Sequence, residues 1–520
     1  MTQTNTNQPD FASIPDAIHQ HAMAAPLRLA LADRRHQLTY GELDEMMNRV
    51  AFALQQGGVQ AGDAVAICAN TCVEYAAVFL GALRAGVVVA PLSPGSTAQS
   101  LARMVDDAQA KLVFTDAACA GLFAPRIGSQ AALVALDDAG DMLHLSDWLA
   151  VSDAPRGSVL SPVQVQADWP FNIIYSSGTT GEPKGIVQSH GMRWMHVRRG
   201  GNYGYDGGTV TLLSTPLYSN TTLVVFFPTL AFGGTVVLMP KFDALGYLQL
   251  AQQWHVTHTM LVPVQYQRIM SLPSFSTFDL SSFKIKFCTS APFAAALKAD
   301  VLARWPGGLV EFYGMTEGGG SFILDAHLHP SKLHTVGRAA EGHDIRLIDE
   351  AGLEVVSGEA GEVVGHSPSM MIGYHRQPEK TREAEWFDAS GKRFIRTGDI
   401  GRLDADGFLT LFDRRKDMII SGGFNIYPSD LEAILCAHPA VQEAAVVGMP
   451  SEQWGETPVA FVVLRTSQPV ADDELLAWLN ASVGKTQRAS GLQFVDELPR
   501  SAIGKVLKRE LRDRFVKKVL

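Results

Sequence analysis

Eleven residues, Tyr175-Ser-Ser-Gly-Thr-Thr-Gly-Glu-Pro-Lys-Gly185, gather hydroxyls, glycine N–H groups and one lysine. Donors on small residues can approach a ligand closely, and a cation beside them suits a polyphosphate. The run Phe171-Asn-Ile-Ile-Tyr175 reads as a buried strand, so Ser176, Ser177, Gly178, Thr179, Thr180 and Gly181 form a loop leaving its end. The spacing is not that of a P-loop, which closes on Gly-Lys-Ser/Thr after a four-residue gap. Here Pro183 precedes Lys184 and Gly185 follows it. A second chemical candidate is Lys505, in a loop after Pro499, directly behind Gly504 and with no acidic neighbour closer than Glu510. A lysine is a compact charge able to bond two anionic groups at once.

Elements must hold these residues, and the hydrophobic pattern shows which. Ser13–Ala24 and Tyr40–Gln55 have helical apolar spacing, Ala64–Ala69 reads as a strand and Glu74–Ala85 as another helix. That alternation predicts an α/β architecture with mainly parallel sheets. Phe394–Phe412 reads as a hairpin turning at Asp406-Gly407. Beyond the polar stretch Asp413–Asp417, Ser429-Asp-Leu-Glu432 has the pattern of a capping box. Ala444–Val447 and Val459–Leu464 read as strands, Asp472–Asn480 and Lys505–Lys517 as helices. Residues 414–520 hold 14 Lys+Arg against 13 Asp+Glu, which leaves 29 against 40 in residues 1–413. This predicts a large acidic domain, 1–413, and a small basic-tailed one, 414–520, joined at a short hinge.

Composition bounds the classes. At 520 residues the chain exceeds what one core serves, and 47% hydrophobic with 18% charged residues is that of a packed globular protein. A net charge of −10 disfavours sequence-independent nucleic-acid binding. Five scattered cysteines are expected to be buried free thiols of a reducing cytosol. Residues 1–10 have no basic or apolar signal-peptide regions. Leu223–Phe232, the most apolar stretch, is too short to span a membrane and is expected to be a buried element. His190, His196, His255 and His258 lack carboxylate support for a metal and are read as structural. The expected location is the cytoplasm.

Four further segments follow the phosphate loop in order: Glu311-Phe-Tyr-Gly-Met-Thr-Glu317, Arg396-Thr-Gly-Asp399, Asp413-Arg-Arg-Lys416 and Leu498-Pro-Arg-Ser-Ala-Ile-Gly-Lys505. With them the chain, from about Ile14 onward, resembles the adenylate-forming (AMP-binding) enzymes: acyl-CoA synthetases, 4-coumarate–CoA ligases, luciferases and peptide-synthetase adenylation domains. The resemblance implies an α/β fold, with a large multi-sheet N-terminal domain and a small mobile α+β C-terminal domain. It also implies a reaction in which a carboxylate attacks the α-phosphate of ATP, and a thiol, usually of CoA, then takes the acyl group.

It carries roles onto matching positions. Tyr313 stacks on adenine, Thr316 donates to the α-phosphate, Glu317 holds Mg²⁺, and Glu311 and Gly314 belong to the same nucleotide segment. Phe312 stands where the family has Gly or Ala, beside the expected adenine wall. Asp399 and Arg414 meet the ribose, Lys505 bridges carboxylate and α-phosphate, and Lys416 is the hinge. Ser421, Gly422, Gly423 and Phe424 open a tunnel for pantetheine, with Ile420 where 4-coumarate–CoA ligases commonly have a second lysine. Ser219 stands in place of the family's pocket histidine within Pro216-Leu-Tyr-Ser-Asn220. The acyl pocket is expected to be lined by Tyr218, Ser219, Asn220, Cys288, Ser290, Ala291 and Met315, with room left by Gly318 and Gly319. No aspartate is there to hold a substrate amino group, so the acid is expected to be aromatic, phenylpropenoic or aliphatic. ATP and CoA are the implied co-substrates. An adenylation enzyme loading a carrier protein and a non-catalytic nucleotide-binding protein stay as alternatives, and a homodimer is one option for the assembly.

Overall fold

The computed structural model describes residues 10–123, 131–151, 162–176, 183–414, 417–421, 424–451, 454–465, 470–484, 487–501 and 504–519. By their backbone contacts the residues fall into two compact units. The first comprises residues 1–333, 340–344 and 365–395, the second 334–339, 345–364 and 396–520. The division is thus not a single cut near residue 413: strand Arg393–Leu403 changes unit within itself, and its later part pairs antiparallel with Leu409–Arg414. Those two strands are the expected hairpin, and Gly407 takes the positive φ of +78° that its turn requires.

The first unit is built on two sheets. One runs, in spatial order, Phe322–Asp325, Gly308–Tyr313, Ile285–Cys288, His258–Leu261, Val210–Leu213, Thr235–Leu238, Leu29–Ala32 and Gln37–Thr39, with parallel pairing except at its outer strands. The other runs Gly373–Tyr374, Lys184–Ser189, Pro170–Ser176, Val88–Pro91, Ala64–Cys68, Leu112–Thr115 and Ala132–Ala135. Helices Val73–Arg84 and Asn220–Ala231 are apolar on all sides and buried along almost their whole length, as such helices must be. Phe79, Phe171 and Phe227 meet edge to face at the centre. The stretch 223–232 is therefore core, carried through Pro228 inside the helix.

Helix starts follow their caps. Ser13 caps Ile14–Ala24, and Thr39 with Glu42 forms a full capping box for Tyr40–Gln56. The expected box at Ser429–Glu432 is not formed: helix Pro428–Ala437 begins at its proline, whose missing N–H suits that position, and Ser429 lies inside the first turn.

In the second unit, Val441–Ser451 and Gly455–Leu464 form a long hairpin flanked by Ile419–Ser421 with Phe424–Ile426 on one side, while Gly491–Phe494 joins in parallel. Helices Pro428–Ala437 and Asp472–Ala481 supply Leu431, Leu435, Leu475 and Leu479 to its core. Helix Lys508–Val519 is not simply solvated: Lys508 pairs with Glu432 at 2.9 Å and Arg512 with Asp417 at 3.5 Å. All five cysteines are free, but only Cys68, Cys119 and Cys288 are buried; Cys72 is half-buried and Cys436 is exposed, near the end of its helix. Among the described residues no helix is long and apolar enough to cross a membrane.

Candidate active site

Strands Pro170–Ser176 and Lys184–Ser189 pair antiparallel, with Ser176 opposite Lys184. Ser177, Gly178, Thr179, Thr180 and Gly181 lie outside the described residues. Gly185 has a steric reason to be glycine: a Cβ there would sit 2.8 Å from Ile173 and 3.0 Å from the Tyr175 ring. Lys184 Nζ lies over the Tyr374 ring at 5.0 Å, and the Tyr374 hydroxyl donates to Glu317 Oε1 at 2.8 Å. Burial and the carboxylate raise the Tyr374 phenol well above its ordinary value, so it remains a donor. The structure thus gathers Lys184, Glu317 and a tyrosine that carried no motif.

The Thr316–Glu317 turn is pinned from two sides. Gln188 Nε2 donates to the Thr316 carbonyl at 2.7 Å, and the Met371 N–H donates to the Glu317 carbonyl at 2.8 Å. Along strand Gly308–Tyr313 side chains alternate faces. Tyr313 is half-buried, 5.9 Å from Phe322. Phe312 points the opposite way and stacks on Phe287 at 5.3 Å. Phe312 therefore does not adjoin the Tyr313 face, contrary to the expectation of an altered adenine wall. Glu311 is not offered to a ligand either. Its buried carboxylate pairs with the buried Lys298, while burial pushes its pKa up against that pairing. A Cβ on Gly314 would meet Ser321 Oγ at 3.1 Å and the Gly320 carbonyl oxygen at 3.6 Å.

The acyl-pocket expectations meet a mixed geometry. Ser219 caps helix Asn220–Ala231, its hydroxyl accepting the Thr221 N–H at 3.3 Å. Thr221 Oγ1 and Ser290 Oγ share a hydrogen at 2.5 Å, and Ser290 holds a φ of +81°, strained for a residue with a side chain. Ala291 follows directly, and Tyr218 is half-buried nearby in sequence. Met315 packs with Ile186, Met371, Tyr374 and Ile395. Gly318 and Gly319 leave no slot. A Cβ on Gly318 would fall 1.8 Å from the Ser369 carbonyl oxygen, and one on Gly319 2.9 Å from both the Gly365 oxygen and Ile395 Cβ. With φ of +76° and +81° they are glycines for backbone reasons.

Sequence reasoning missed Arg193. It is wholly buried between the Phe171 and Phe227 rings, 5.8 Å from each. Its Nε donates to Asn172 Oδ1 at 3.0 Å and its Nη1 to Asn220 Oδ1 at 2.8 Å. Gln188 reaches the same Asn220 oxygen at 3.5 Å, so one polar chain joins Arg193, Asn220, Gln188 and Thr316. The signal was present: Arg193, His196 and Arg199, three apart, share one helix face.

In the second unit, Asp399 and Arg414 are direct cross-strand partners, which places the two expected ribose residues side by side on one hairpin. The Asp399 N–H donates to Thr397 Oγ1 at 3.0 Å, and Arg396 forks onto Glu362 at 3.1 and 2.5 Å. The Arg414 and Phe424 side chains, and Lys416, Gly422 and Gly423 entirely, lie outside the described residues. Ser421 is buried and pairs with Phe424 and Gly455. Lys505 closes a tight turn: its N–H donates to Ser501 Oγ at 3.2 Å and its carbonyl accepts the Ser501 N–H at 2.8 Å. Arg500 braces the turn, donating to the Gly504 carbonyl at 2.7 Å and to Glu443 at 2.9 Å.

Comparison with known proteins agrees with these features. Residues 18–375 match the family model described as AMP-binding enzyme, and residues 430–505 match that of the AMP-binding enzyme C-terminal domain. A feruloyl-CoA synthase of Amycolatopsis is 34% identical over 506 residues, covering 95% of this chain and 98% of that protein. A 4-coumarate–CoA ligase-like protein of rice (Oryza sativa subsp. japonica) is 31% identical over 530 residues, covering 98% of this chain and 94% of its own. The crystal structure of ATP-bound MatB from Rhodopseudomonas palustris superposes with a TM-score of 0.85 at 30% identity, covering 97% and 99% of the two chains. The chain belongs to the AMP-binding enzyme family and is an AMP-forming, adenylate-forming ligase of the acyl-CoA synthetase type.

Proposed function

We propose that the chain joins an aromatic, phenylpropenoic or medium-chain carboxylic acid to CoA in two half-reactions. In the first, a carboxylate oxygen of the acid attacks the α-phosphorus of ATP and the bond to pyrophosphate breaks. In the second, the CoA sulfur attacks the acyl carbon, its proton is lost, and AMP departs. The observation that carries the reading is the arrangement of Lys184, Tyr374 and Glu317 around the pinned Thr316 turn.

The first half-reaction brings anions together, so positive charge near the α-phosphate lowers its barrier. Lys184 and the loop from Ser176 supply donors to the phosphates, Thr316 donates to the α-phosphate, and Tyr313 stacks on the base. Asp399 accepts from the ribose hydroxyls, with Arg414 beside it. Lys505 bonds the acid's carboxylate and the α-phosphate together. Glu317 offers a carboxylate oxygen held in place by Tyr374, a hard donor that fits a Mg²⁺ held mainly by phosphates. When bound, that ion neutralises phosphate charge. Pivoting of residues 414–520 at Lys416 withdraws Lys505 and brings up Ser421, Gly422, Gly423 and Phe424 for pantetheine. A cytoplasmic location fits CoA as the thiol.

The test is a panel of acids assayed for ATP-dependent pyrophosphate release, each with and without CoA. Release with an aromatic or medium-chain acid, followed by a CoA thioester, is expected. Adenylate formation that CoA cannot discharge, but a carrier protein can, overturns the second half of the reading.

A further inference from the structure

The core of the first unit holds a charge where the strand leading to Ser176 meets the helix that follows the acyl segment. Asn172 and Gln188 are direct cross-strand partners on Pro170–Ser176 and Lys184–Ser189, so their side chains share one face. Arg193, on helix His190–Gly200, reaches that face. Its Nε donates to Asn172 Oδ1 at 3.0 Å and its Nη1 to Asn220 Oδ1 at 2.8 Å, Asn220 being the first residue of helix Asn220–Ala231. Gln188 Nε2 donates to the Thr316 carbonyl at 2.7 Å and stands 3.5 Å from the same Asn220 oxygen. One guanidinium thus bonds two elements, and Gln188 carries the connection to a third.

Such a cluster is a costly way to build a core. Asn172, Gln188 and Arg193 are wholly buried, Arg193 between two phenylalanine rings. Among the described residues no carboxylate pairs with Arg193, and burial pulls its pKa down to about 9. Arg193 Nη2, Asn172 Nδ2 and Gln188 Oε1 are buried without a hydrogen-bond partner among those residues. Unpaired buried polar groups cost stability, and apolar side chains of similar volume are often the more stable filling. Stability therefore does not account for the arginine, whereas geometry does: a planar guanidinium fixes two acceptors in set directions. We propose that Arg193 is a positioning residue of adenylation, holding Asn220 and the strand that leads to Ser176 at one spacing and, with Gln188, keeping the acyl segment in register with Thr316. The proposal rests on the reading of the chain as an acid-activating ligase. In that reading the phosphate donors follow Ser176, the α-phosphate donor is Thr316 and the acid lies against residues 216–220, each on a different element. Attack on the α-phosphorus needs the carboxylate oxygen about 3–3.5 Å away and in line, so a slip between these elements acts on the rate even though Arg193 touches no reacting atom.

The test is single-turnover adenylation without CoA, read as pyrophosphate release with 4-coumarate or octanoate, whichever the wild type turns over faster. The amplitude counts folded, competent sites, and the rate constant reports their geometry. Arg193→Met is expected to keep most of the amplitude while the rate constant falls by roughly 10- to 100-fold. The KM for the acid should rise more than that for ATP, whose base and ribose are held elsewhere. Arg193→Lys, which keeps the charge and can restore one bond, should recover part of the rate. Gln188→Leu breaks the tie to Thr316 without touching the charge and should slow the same step, and adding it to Arg193→Met should cost little further. Losses that simply multiply, or an Arg193→Met variant that loses amplitude and melting temperature but keeps its rate constant, overturn the proposal. If Arg193→Met does not fold, Gln188→Leu decides, and a normal rate constant there is equally fatal. Absence of acid-dependent release from the wild type overturns the acid-activating reading itself, an outcome distinct from normal rate constants in the variants.

Discussion

The Thr316–Glu317 turn and the Lys505 turn are both expected to touch the α-phosphate, yet they are held by different means. The first leaves the end of a buried strand and is fixed by side chains from elsewhere in its unit: Gln188 on the Thr316 carbonyl and Tyr374 on the Glu317 carboxylate. Glycines Gly318 and Gly319 then press the chain onto the 365–370 backbone. The second is a half-buried turn in which Ser501 and Lys505 bond each other and Arg500 holds the Gly504 carbonyl. Groups that must stay put through two half-reactions sit on rigid elements, whereas a group needed in only one can sit on a loop that is carried away.

If that contrast holds, the two sites fail differently. Lys505→Ala should abolish adenylation, a loss of about 10³-fold or more, while a supplied acyl-adenylate is still converted to thioester. Single-turnover assays of each half-reaction check this, and equal loss of both would end the assignment of Lys505 to one orientation. Glu317→Gln keeps the Tyr374 hydrogen bond but removes the charge. Adenylation is expected to fall by about 10² to 10³ with the melting temperature unchanged, and near-normal turnover at saturating Mg²⁺ would place the ion elsewhere.

Gly319→Leu probes the rigidity of the first turn. Its Cβ would meet Ile395 at 2.9 Å in a backbone of φ +81°, so the variant should lose roughly 1–3 kcal/mol of stability. Activity should fall with every acid alike. A stable variant with a changed chain-length preference would instead make Gly319 a wall of the acyl slot.

The sequence revealed most where local rules and global packing agree. Helices Tyr40–Gln56 and Asp472–Ala481 and the Asp406-Gly407 hairpin lie where periodicity and turn chemistry put them. The motifs marked candidate nucleotide residues because phosphate chemistry restricts residue types so strongly. What stayed hidden depends on contacts distant in sequence. Tyr374 is 57 residues from Glu317, Arg193 is buried by Phe171 and Phe227 from outside its own helix, and the glycines after Glu317 suggest space until the 365–370 segment fills it. Alternation along one strand separated Phe312 from Tyr313, a distinction visible in the sequence once the strand's bounds are fixed.

The mildest expected effect tests the loop-held side. Arg500 touches neither a reacting group nor the nucleotide in the proposed scheme; it ties the Gly504 carbonyl to Glu443 on strand Val441–Ser451. Arg500→Met keeps the length of the side chain and removes both bonds. Each partly exposed bond contributes about 0.5–1.5 kcal/mol, so the Lys505 turn should loosen without loss of fold. Adenylation kcat should drop about 3- to 10-fold, with the KM for ATP little changed because Lys505 acts on the reacting groups and not on the base or ribose. Thioester formation from a supplied acyl-adenylate should be unaffected. Arg500→Lys, able to restore one bond, should recover part of the rate, and adding Glu443→Gln to Arg500→Met should cost nothing further. A merely structural arginine would lower the melting temperature and both half-reactions together, and that pattern would erase the difference between the two turns.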